Sequence, residues 1–207
     1  MLKIYGRKNS INVQKVMWIV GELGLAHERV DIGGPFGKNK EPEYLALNPN
    51  GLVPTIQDGD FVLWESNAIL HYLAQKDGKN KLMPSSARAK ALVGQWMDWQ
   101  QTTYNSLIGP IFINMIRTPP EKRDMPLVER SCRSVTETAK ILDAHLGRSP
   151  YVAGENFSIG DIPVGITTYR FLALVPDRPP LTNLARWYDA ISARQAFRDH
   201  VGAVPLT

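Results

Sequence analysis

Residues 48–55 read Asn-Pro-Asn-Gly-Leu-Val-Pro-Thr, and Asp58-Gly59 follows shortly after them. The Val53–Pro54 step stands at the start of a predicted strand and after a β-branched residue, which is a place where a cis proline bond occurs. Asp-Gly between two apolar runs is a strong hairpin signal. This stretch therefore predicts a β-hairpin with strands over 54–57 and 60–63. An ordinary turn proline is the alternative that the segment alone leaves open.

The sequence around the hairpin alternates between strand and helix patterns. Residues 2–6 and 28–32 are candidate strands, and apolar residues between them recur at helical spacing until Gly24. After the hairpin, Ser66 is predicted to cap a further helix. The order β-α-β, a loop with a short helix, then β-β-α gives a parallel pair with an added antiparallel strand. We therefore predict an α/β thioredoxin-like N-terminal domain over residues 1–78.

Strand signals stop in a polar stretch that we predict to be a linker over residues 79–86. Residues 87–207 are predicted to form an all-α helical-bundle C-terminal domain. One helix start is explicit, because Ser158 and Asp161 have the spacing of a capping box. The predicted helices cover 87–116, 124–146, 158–175 and 181–193.

Composition excludes several classes of protein. The chain has 207 residues, of which 43% are hydrophobic and 21% charged, as in a folded soluble chain. The net charge is +4 and the basic residues alternate with acidic ones, so we predict no nucleic-acid partner. The longest uncharged run, 99–116, is too polar for a membrane span. A single cysteine and no apolar N-terminal run predict a cytoplasmic protein, and four unclustered histidines predict no metal site.

Three local features carry chemistry. A cis bond before Pro54 would turn the backbone of Val53 outward, where an extended peptide can pair with it. Ser66 at a helix N-terminus suits a carboxylate, and Glu65 beside it suits an ammonium group, so together they fit the head of an α-amino acid. Ser10 and Asn12 precede the first helix, where they would stabilise a bound thiolate. Plain helix capping by Ser10, Asn12 or Ser66 is the open alternative.

Taken together, the three features resemble the soluble glutathione transferase family across nearly the whole chain. The matching motifs are Ser10-x-Asn12-x-x-Lys15-Val16, Asn48-Pro49-Asn50-Gly51-x-Val53-Pro54, Glu65-Ser66-x-Ala68-Ile69-x-x-Tyr72-Leu73 and Phe157-Ser158-Ile159-x-Asp161-Ile162. The resemblance implies a glutathione-binding domain, a helical domain that bounds a second-substrate pocket, and a homodimer. It is strongest to the bacterial serine-type and asparagine-type branches, in which Ser10 or Asn12 would contact the sulfur as the catalytic residue.

The resemblance also implies a set of glutathione ligands. Glu65 and Ser66 would hold the γ-glutamyl end, and the Val53 backbone before Pro54 would pair with the cysteinyl part. The further ligands that it implies are Asn39, Lys40 and Asn50.

Other residues have competing interpretations. Tyr5 ends the first strand and is predicted to pack there, and Cys132 is predicted to be an inert thiol. Asp98 is a candidate contact to the glutathione amine of a neighbouring subunit. Aromatic residues at helical spacing are either core or the lining of the second-substrate pocket; they are Trp96, Trp99 and Tyr104.

The predicted function is a glutathione transferase with glutathione as co-substrate. It would direct the thiolate at a small electrophilic, peroxide or disulfide co-substrate. The alternatives are a ligandin-like protein that binds glutathione or apolar compounds without turnover, and a module used only for assembly. Thiolate donors at Ser10 and Asn12 favour the enzyme, because a scaffold does not need them.

Overall fold

The computed structural model of the protein describes residues 1–76, 78 and 82–207. Their contacts form two compact units, of which the first is Met1–Met83 with Arg194–Pro205 and the second is Pro84–Ala193 with Leu206–Thr207. The first unit contains a mixed sheet with helices, and the second is mostly helical. The predicted fold class is therefore confirmed. The domain limits 1–78, 79–86 and 87–207 stay predictions, and residues 79–81 of the predicted linker lie outside the described residues.

The first unit is built on a four-stranded sheet in the order β2-β1-β3-β4. The strands are β1 (Leu2–Tyr5), β2 (His27–Val30), β3 (Thr55–Asp58) and β4 (Phe61–Trp64). β1 pairs parallel with β2 and antiparallel with β3, and β3 pairs antiparallel with β4. The first helices are α1 (Ile11–Leu23), α2 (Pro42–Leu47) and α3 (Ser66–Lys76). α1 packs against α3, and Ile4 and Ile56 at the sheet centre are fully buried.

The predicted hairpin is present, but its loop lies one residue later than expected. Asp58 pairs with Phe61, so that the loop residues are Gly59 and Asp60. Gly59 takes the left-handed conformation, with φ +66°. The Asp58 carboxylate contacts the Lys76 ammonium and accepts a hydrogen bond from the Tyr72 hydroxyl, and these partners lower the pKa of Asp58. Side chains of α3 therefore keep Asp58 inside β3.

The segment 194–205 packs in the first unit, although the sequence patterns placed it in the helical domain. The Arg194 guanidinium donates two hydrogen bonds to the Glu22 carboxylate, at 2.7 and 2.6 Å. The ring of Phe197 meets Trp18 edge to face, with centroids 4.9 Å apart. Helical periodicity marks a helix but does not say which unit buries its apolar face, so this placement was not predictable.

The second unit consists of helices joined by connections of different length. They are α4 (Ala87–Trp99), α5 (Asn105–Phe112), α6 (Met125–Leu146), α7 (Asp161–Leu174) and α8 (Thr182–Ser192), while α9 (Gln195–Phe197) belongs to the first unit. π-helical turns at Gln100–Tyr104 and Ile113–Arg117 flank α5, which contains Pro110. The helix predicted over 87–116 is therefore a run of α- and π-helical turns. Within the described ranges, no helix is long and apolar enough to cross a membrane.

Asp161 at the start of α7 accepts four hydrogen bonds and is fully buried. Its Oδ2 accepts from the Ser158 amide at 2.9 Å, which is one half of the predicted capping box, and from the Ser158 hydroxyl at 3.2 Å. The other half does not form, because Ser158 Oγ accepts from the Gly160 amide, and the cap residue of α7 is Gly160 rather than Ser158. Its Oδ1 accepts from the Val152 amide at 3.0 Å and from Trp187 Nε1 at 2.9 Å. Burial raises the pKa of Asp161 to about 6, against the opposing effect of these donors. This carboxylate therefore joins α7, α8 and the 152–158 turn.

We expect Asp161→Asn to lower the free energy of unfolding by about 2 to 4 kcal/mol, measured by urea denaturation. Either orientation of the new amide places its NH₂ group against buried donors, which lose their acceptor. The matched change Glu137→Gln, at an exposed ion pair, should cost less than about 0.5 kcal/mol. Equal losses in the two variants would contradict this role for Asp161.

The pH dependence of this difference follows from the raised pKa. Between pH about 4 and about 6 the folded wild type keeps a proton that the unfolded chain has released. The stability advantage of the wild type over Asp161→Asn should therefore decrease as the pH rises through this window, and then become constant.

Candidate functional site

A cleft in the first unit brings together six of the nine predicted catalytic and glutathione-binding residues. They are Asn12, Asn50, Val53, Pro54, Glu65 and Ser66, and the remaining lining residues are Asn48 and Leu52. The cleft therefore joins the end of the 48–54 loop to the start of α3 and the first turn of α1.

The Val53–Pro54 peptide bond is cis, as predicted. Among the described residues, nothing hydrogen-bonds the backbone amide or carbonyl of Val53, which precedes the first paired residue of β3. Its side chain is half-buried, and the following Pro54 is buried. The cleft thus offers an open donor and acceptor on one residue, which is the arrangement that an extended peptide can pair with.

The side-chain amide of Asn48 holds the loop that carries Val53. Asn48 Nδ2 donates to the Leu52 carbonyl at 2.9 Å and to Thr55 Oγ1 at 3.1 Å. Asn48 Oδ1 accepts from the Asn50 amide at 3.1 Å and from Asn50 Nδ2 at 3.0 Å. The buried Tyr44 hydroxyl also bonds to the Leu52 carbonyl and to Thr55 Oγ1. Asn48 stood in the sequence motif, but its buried supporting role was not predicted.

Asn39 and Lys40 lie beside the same loop rather than in the cleft lining. Asn39 Nδ2 donates to the Gly51 carbonyl at 2.8 Å, and Lys40 Nζ donates to the Asn50 carbonyl at 3.2 Å. Gly51 has φ +60°, and a Cβ atom there would lie 2.7 Å from the Asn39 carbonyl oxygen and 2.6 Å from Lys40 Nζ. Glycine at position 51 therefore allows both residues to approach the loop.

Glu65 and Ser66 stand together at the start of α3. Glu65 has φ +73°, an uncommon conformation for a residue other than glycine, and its side chain is exposed. The Glu65 carbonyl accepts the first helical hydrogen bond, from the Ile69 amide at 2.9 Å. Glu65 therefore takes the cap position, and the prediction that Ser66 caps the helix is wrong: Ser66 is the first residue of α3.

A buried lysine lies under Ser66. The side chain of Lys15 on α1 is only 2% exposed, and its Nζ donates to Asn67 Oδ1 at 3.3 Å and to Ser66 Oγ at 3.5 Å. The Ser66 hydroxyl in turn donates to Asn12 Oδ1 at 3.3 Å. Lys15 belongs to the first motif, but no local pattern marked it as buried: it is one of eight consecutive buried residues, Val13–Val20, so α1 is buried on all sides.

Ser10 and Asn12 occupy different positions at the start of α1. Ser10 is the buried N-cap residue, yet its side chain makes no capping hydrogen bond. Asn12 is half-buried and lines the cleft next to Ser66. The Tyr5 hydroxyl donates to Gln57 Oε1 at 3.0 Å, and the Tyr5 ring packs edge-on against Tyr44, as its predicted packing role requires.

The remaining predicted residues lie in the second unit. Tyr104 is fully buried between the rings of Trp99 and Phe171, and Trp96 is buried against Trp99 and His145. This packing supports the core interpretation, and a second-substrate role for Trp96, Trp99 and Tyr104 stays a prediction. Asp98 is exposed. In the part of the chain that the structure describes, no cluster of His, Cys, Asp and Glu could hold a metal ion.

A thioredoxin-like unit followed by a second unit made of helices defines the class of protein. Two family models match this chain: "Glutathione S-transferase, N-terminal domain" over residues 1–75 and "Glutathione S-transferase, C-terminal domain" over residues 125–190.

Individual relatives agree with the family models. Glutathione S-transferase GstB of Escherichia coli (strain K12) is 38% identical over 96% of each chain, and Glutathione S-transferase 3 of Zea mays is 33% identical over 99% of this chain and 95% of its own. A theta class glutathione S-transferase of Xanthomonas axonopodis pv. citri, solved with glutathione bound, superposes with a TM-score of 0.94 at 40% identity, covering 100% of this chain and 99% of that one. This chain belongs to the glutathione S-transferase family, and the resemblance read from the sequence is confirmed.

We expect Gly51→Ala to weaken glutathione binding by about tenfold in calorimetry, because a Cβ atom would push the Asn39 backbone and Lys40 away from the loop. Gly59→Ala is the matched control, since Gly59 has a similar φ of +66° but open space around its Cβ position. Both variants should lose about 1 kcal/mol of stability through backbone strain, and only Gly51→Ala should lose affinity. Equal affinities of the two variants for glutathione would contradict a role in binding for the contacts of Asn39 and Lys40 with the loop.

Proposed function

We propose that the cleft of the first unit binds glutathione in an extended form and stabilises its thiolate for attack on a co-substrate. The observation that carries this proposal is the open backbone of Val53 beside Glu65 and Ser66. The bound thiol loses its proton to solvent. The thiolate sulfur then forms a bond to the electrophilic atom of the co-substrate, and the leaving group departs with the electron pair of the broken bond.

The two ends of the tripeptide have separate contacts in this proposal. The exposed Glu65 carboxylate accepts from the ammonium of the γ-glutamyl residue. The Ser66 hydroxyl donates to the γ-glutamyl carboxylate, for which its proton must leave Asn12 Oδ1. The Lys15 ammonium under Ser66 adds positive charge on the side where that carboxylate binds. Asn39, Lys40 and Asn50 lie next to one another at the other end of the loop, where they would hold the glycyl carboxylate.

We assign thiolate stabilisation to Ser10, which is buried next to the cleft and is not one of its lining residues, and to Asn12, which lines it. The Ser10 hydroxyl is not engaged in capping, and it stands at the helix N-terminus, where donors and the helix dipole favour an anion. Neither a hydroxyl nor an amide is a base near pH 7, so both act by donating hydrogen bonds to the sulfur. Asn12 has a second role, because its Oδ1 already accepts from Ser66.

We expect Ser10→Ala to raise the pKa of bound glutathione by about one unit, which is about 1.4 kcal/mol, with its affinity nearly unchanged. Asn12→Ala should also raise this pKa without weakening binding, because the Ser66 hydroxyl then has no competing acceptor in Asn12 Oδ1. Ultraviolet titration of the thiolate measures the pKa, and calorimetry measures the affinity.

Two control variants accompany this test. Ser10→Thr should restore the low thiol pKa, because it keeps the hydroxyl, and Tyr5→Phe should have no effect, because that hydroxyl is bonded to Gln57. A wild-type thiol pKa in Ser10→Ala would contradict the assignment.

We further expect a homodimer and a cytoplasmic location, which the family resemblance implies. The chemical class of the co-substrate is open among electrophiles, peroxides and disulfides. No observation favours the non-catalytic ligandin-like alternative.

A further inference from the structure

The side chain of Arg7 lies against two consecutive glycines beside the cleft. A Cβ atom added to Gly34 would be 2.9 Å from Arg7 Cδ and 3.0 Å from Nε. Gly33 and Gly34 also have positive φ values of +81° and +60°. Glycine at position 34 is therefore required twice, by the backbone conformation and by the position of the arginine.

Gly33 lies between Arg7 and Val53. A Cβ atom added to Gly33 would be 3.4 Å from Arg7 Nη1 and 3.5 Å from Val53 Cγ1. The guanidinium and the side chain of Val53 therefore converge on one point. This places a cation next to the residue that pairs with the cysteinyl part of glutathione under the proposed function.

The backbone of Arg7 is fixed on both sides. Its amide donates to the Ile32 carbonyl at 3.0 Å, and its carbonyl accepts from the Ser10 amide at 3.2 Å. Arg7 thus belongs to the same loop as the proposed thiolate donor, whereas Asn39 and Lys40 contact residues 50 and 51.

We propose that Arg7 binds a carboxylate of the co-substrate, so that this enzyme prefers small electrophiles that carry an acidic group. The inference rests on the proposed function, because it takes the sulfur to lie near Val53 and Ser10. A guanidinium presents two parallel donors that match a carboxylate, and a half-buried one is screened less by water. The glycyl carboxylate of glutathione is the other source of the same chemistry, and the experiment separates the two.

The test compares two probes, 4-chloro-3-nitrobenzoate and the neutral 4-chloro-3-nitrobenzamide. In both, the thiolate sulfur bonds to the carbon that carries chlorine, chloride leaves with the electron pair of the C–Cl bond, and the thiol proton goes to solvent. We expect Arg7→Gln to lower kcat/KM for the benzoate about tenfold, and to change that for the benzamide less than twofold. Lys8→Gln, which removes an exposed neighbouring charge, should change neither.

A second pair of variants consists of one that displaces the Arg7 side chain without mutating it and one that is its control. Gly34→Ala would displace the Arg7 side chain and should reproduce the selective loss on the benzoate. Gly37→Ala also places a side chain at positive φ, +58°, but has open space at its Cβ position, so it should keep the wild-type ratio of the two probes. Thermal unfolding of each variant verifies that the fold is retained.

Three results would overturn the proposal. Equal losses on both probes in Arg7→Gln would show a structural role, and a weaker glutathione affinity in that variant would assign Arg7 to the glycyl carboxylate. If the wild type binds glutathione but converts neither probe, the proposed function fails for these substrates. The role of Arg7 is then tested separately, by calorimetry of the conjugated product. S-(4-carboxy-2-nitrophenyl)glutathione should then bind the wild type about tenfold more tightly than Arg7→Gln, while its carboxamide should not; equal binding would overturn the proposal.

Discussion

The hydrogen bonds of the Asn48 side chain hold the segment on which the rest of the site depends. One amide group binds the Leu52 carbonyl, Thr55 Oγ1 and two nitrogens of Asn50, and the Tyr44 hydroxyl repeats two of these contacts. The polar groups on either side of Val53 are therefore satisfied within the loop. The backbone of Val53 itself is left without a partner among the described residues, and it faces a cleft.

The cleft matches the charges of the molecule that it is proposed to bind. The Lys15 ammonium, the Ser66 hydroxyl and the start of α3 stand where a carboxylate would bind, and Glu65 stands where an ammonium would bind. A buried ammonium such as that of Lys15 needs hydrogen-bond acceptors, which Ser66 and Asn67 supply. Ser66 and Asn12 are therefore linked by hydrogen bonds to the buried Lys15 ammonium. The side chains that are proposed to bind glutathione are thus also the ones that satisfy this buried charge.

Local sequence patterns predicted the parts of the fold that depend on interactions between neighbouring residues of the chain. The hairpin after Asp58, the proline before β3 and the hydrogen bond from the Ser158 amide to Asp161 are each set by residues close in sequence. Six of the eight residues that line the cleft were also predicted, because three separate motifs pointed to one ligand.

Features that depend on distant packing were not predicted. Glu65 takes the cap position of α3 in a left-handed conformation, which no preference of glutamate indicates. The return of residues 194–205 to the first unit depends on Glu22 and Trp18, nearly the whole chain away. Arg7 lies against Gly33 and Gly34 only because the loops after β1 and β2 meet in the fold.

The proposed function depends above all on pairing between glutathione and the open backbone of Val53. Residue-specific hydrogen exchange of the Val53 amide, followed by NMR with and without saturating glutathione, measures this pairing directly. We expect glutathione to slow exchange at Val53 by about tenfold or more, because the amide gains an acceptor and is removed from water, while exchange at the hairpin residue Gly59 stays unchanged. Unchanged exchange at Val53, with calorimetry showing that glutathione is bound, would rule out this pairing.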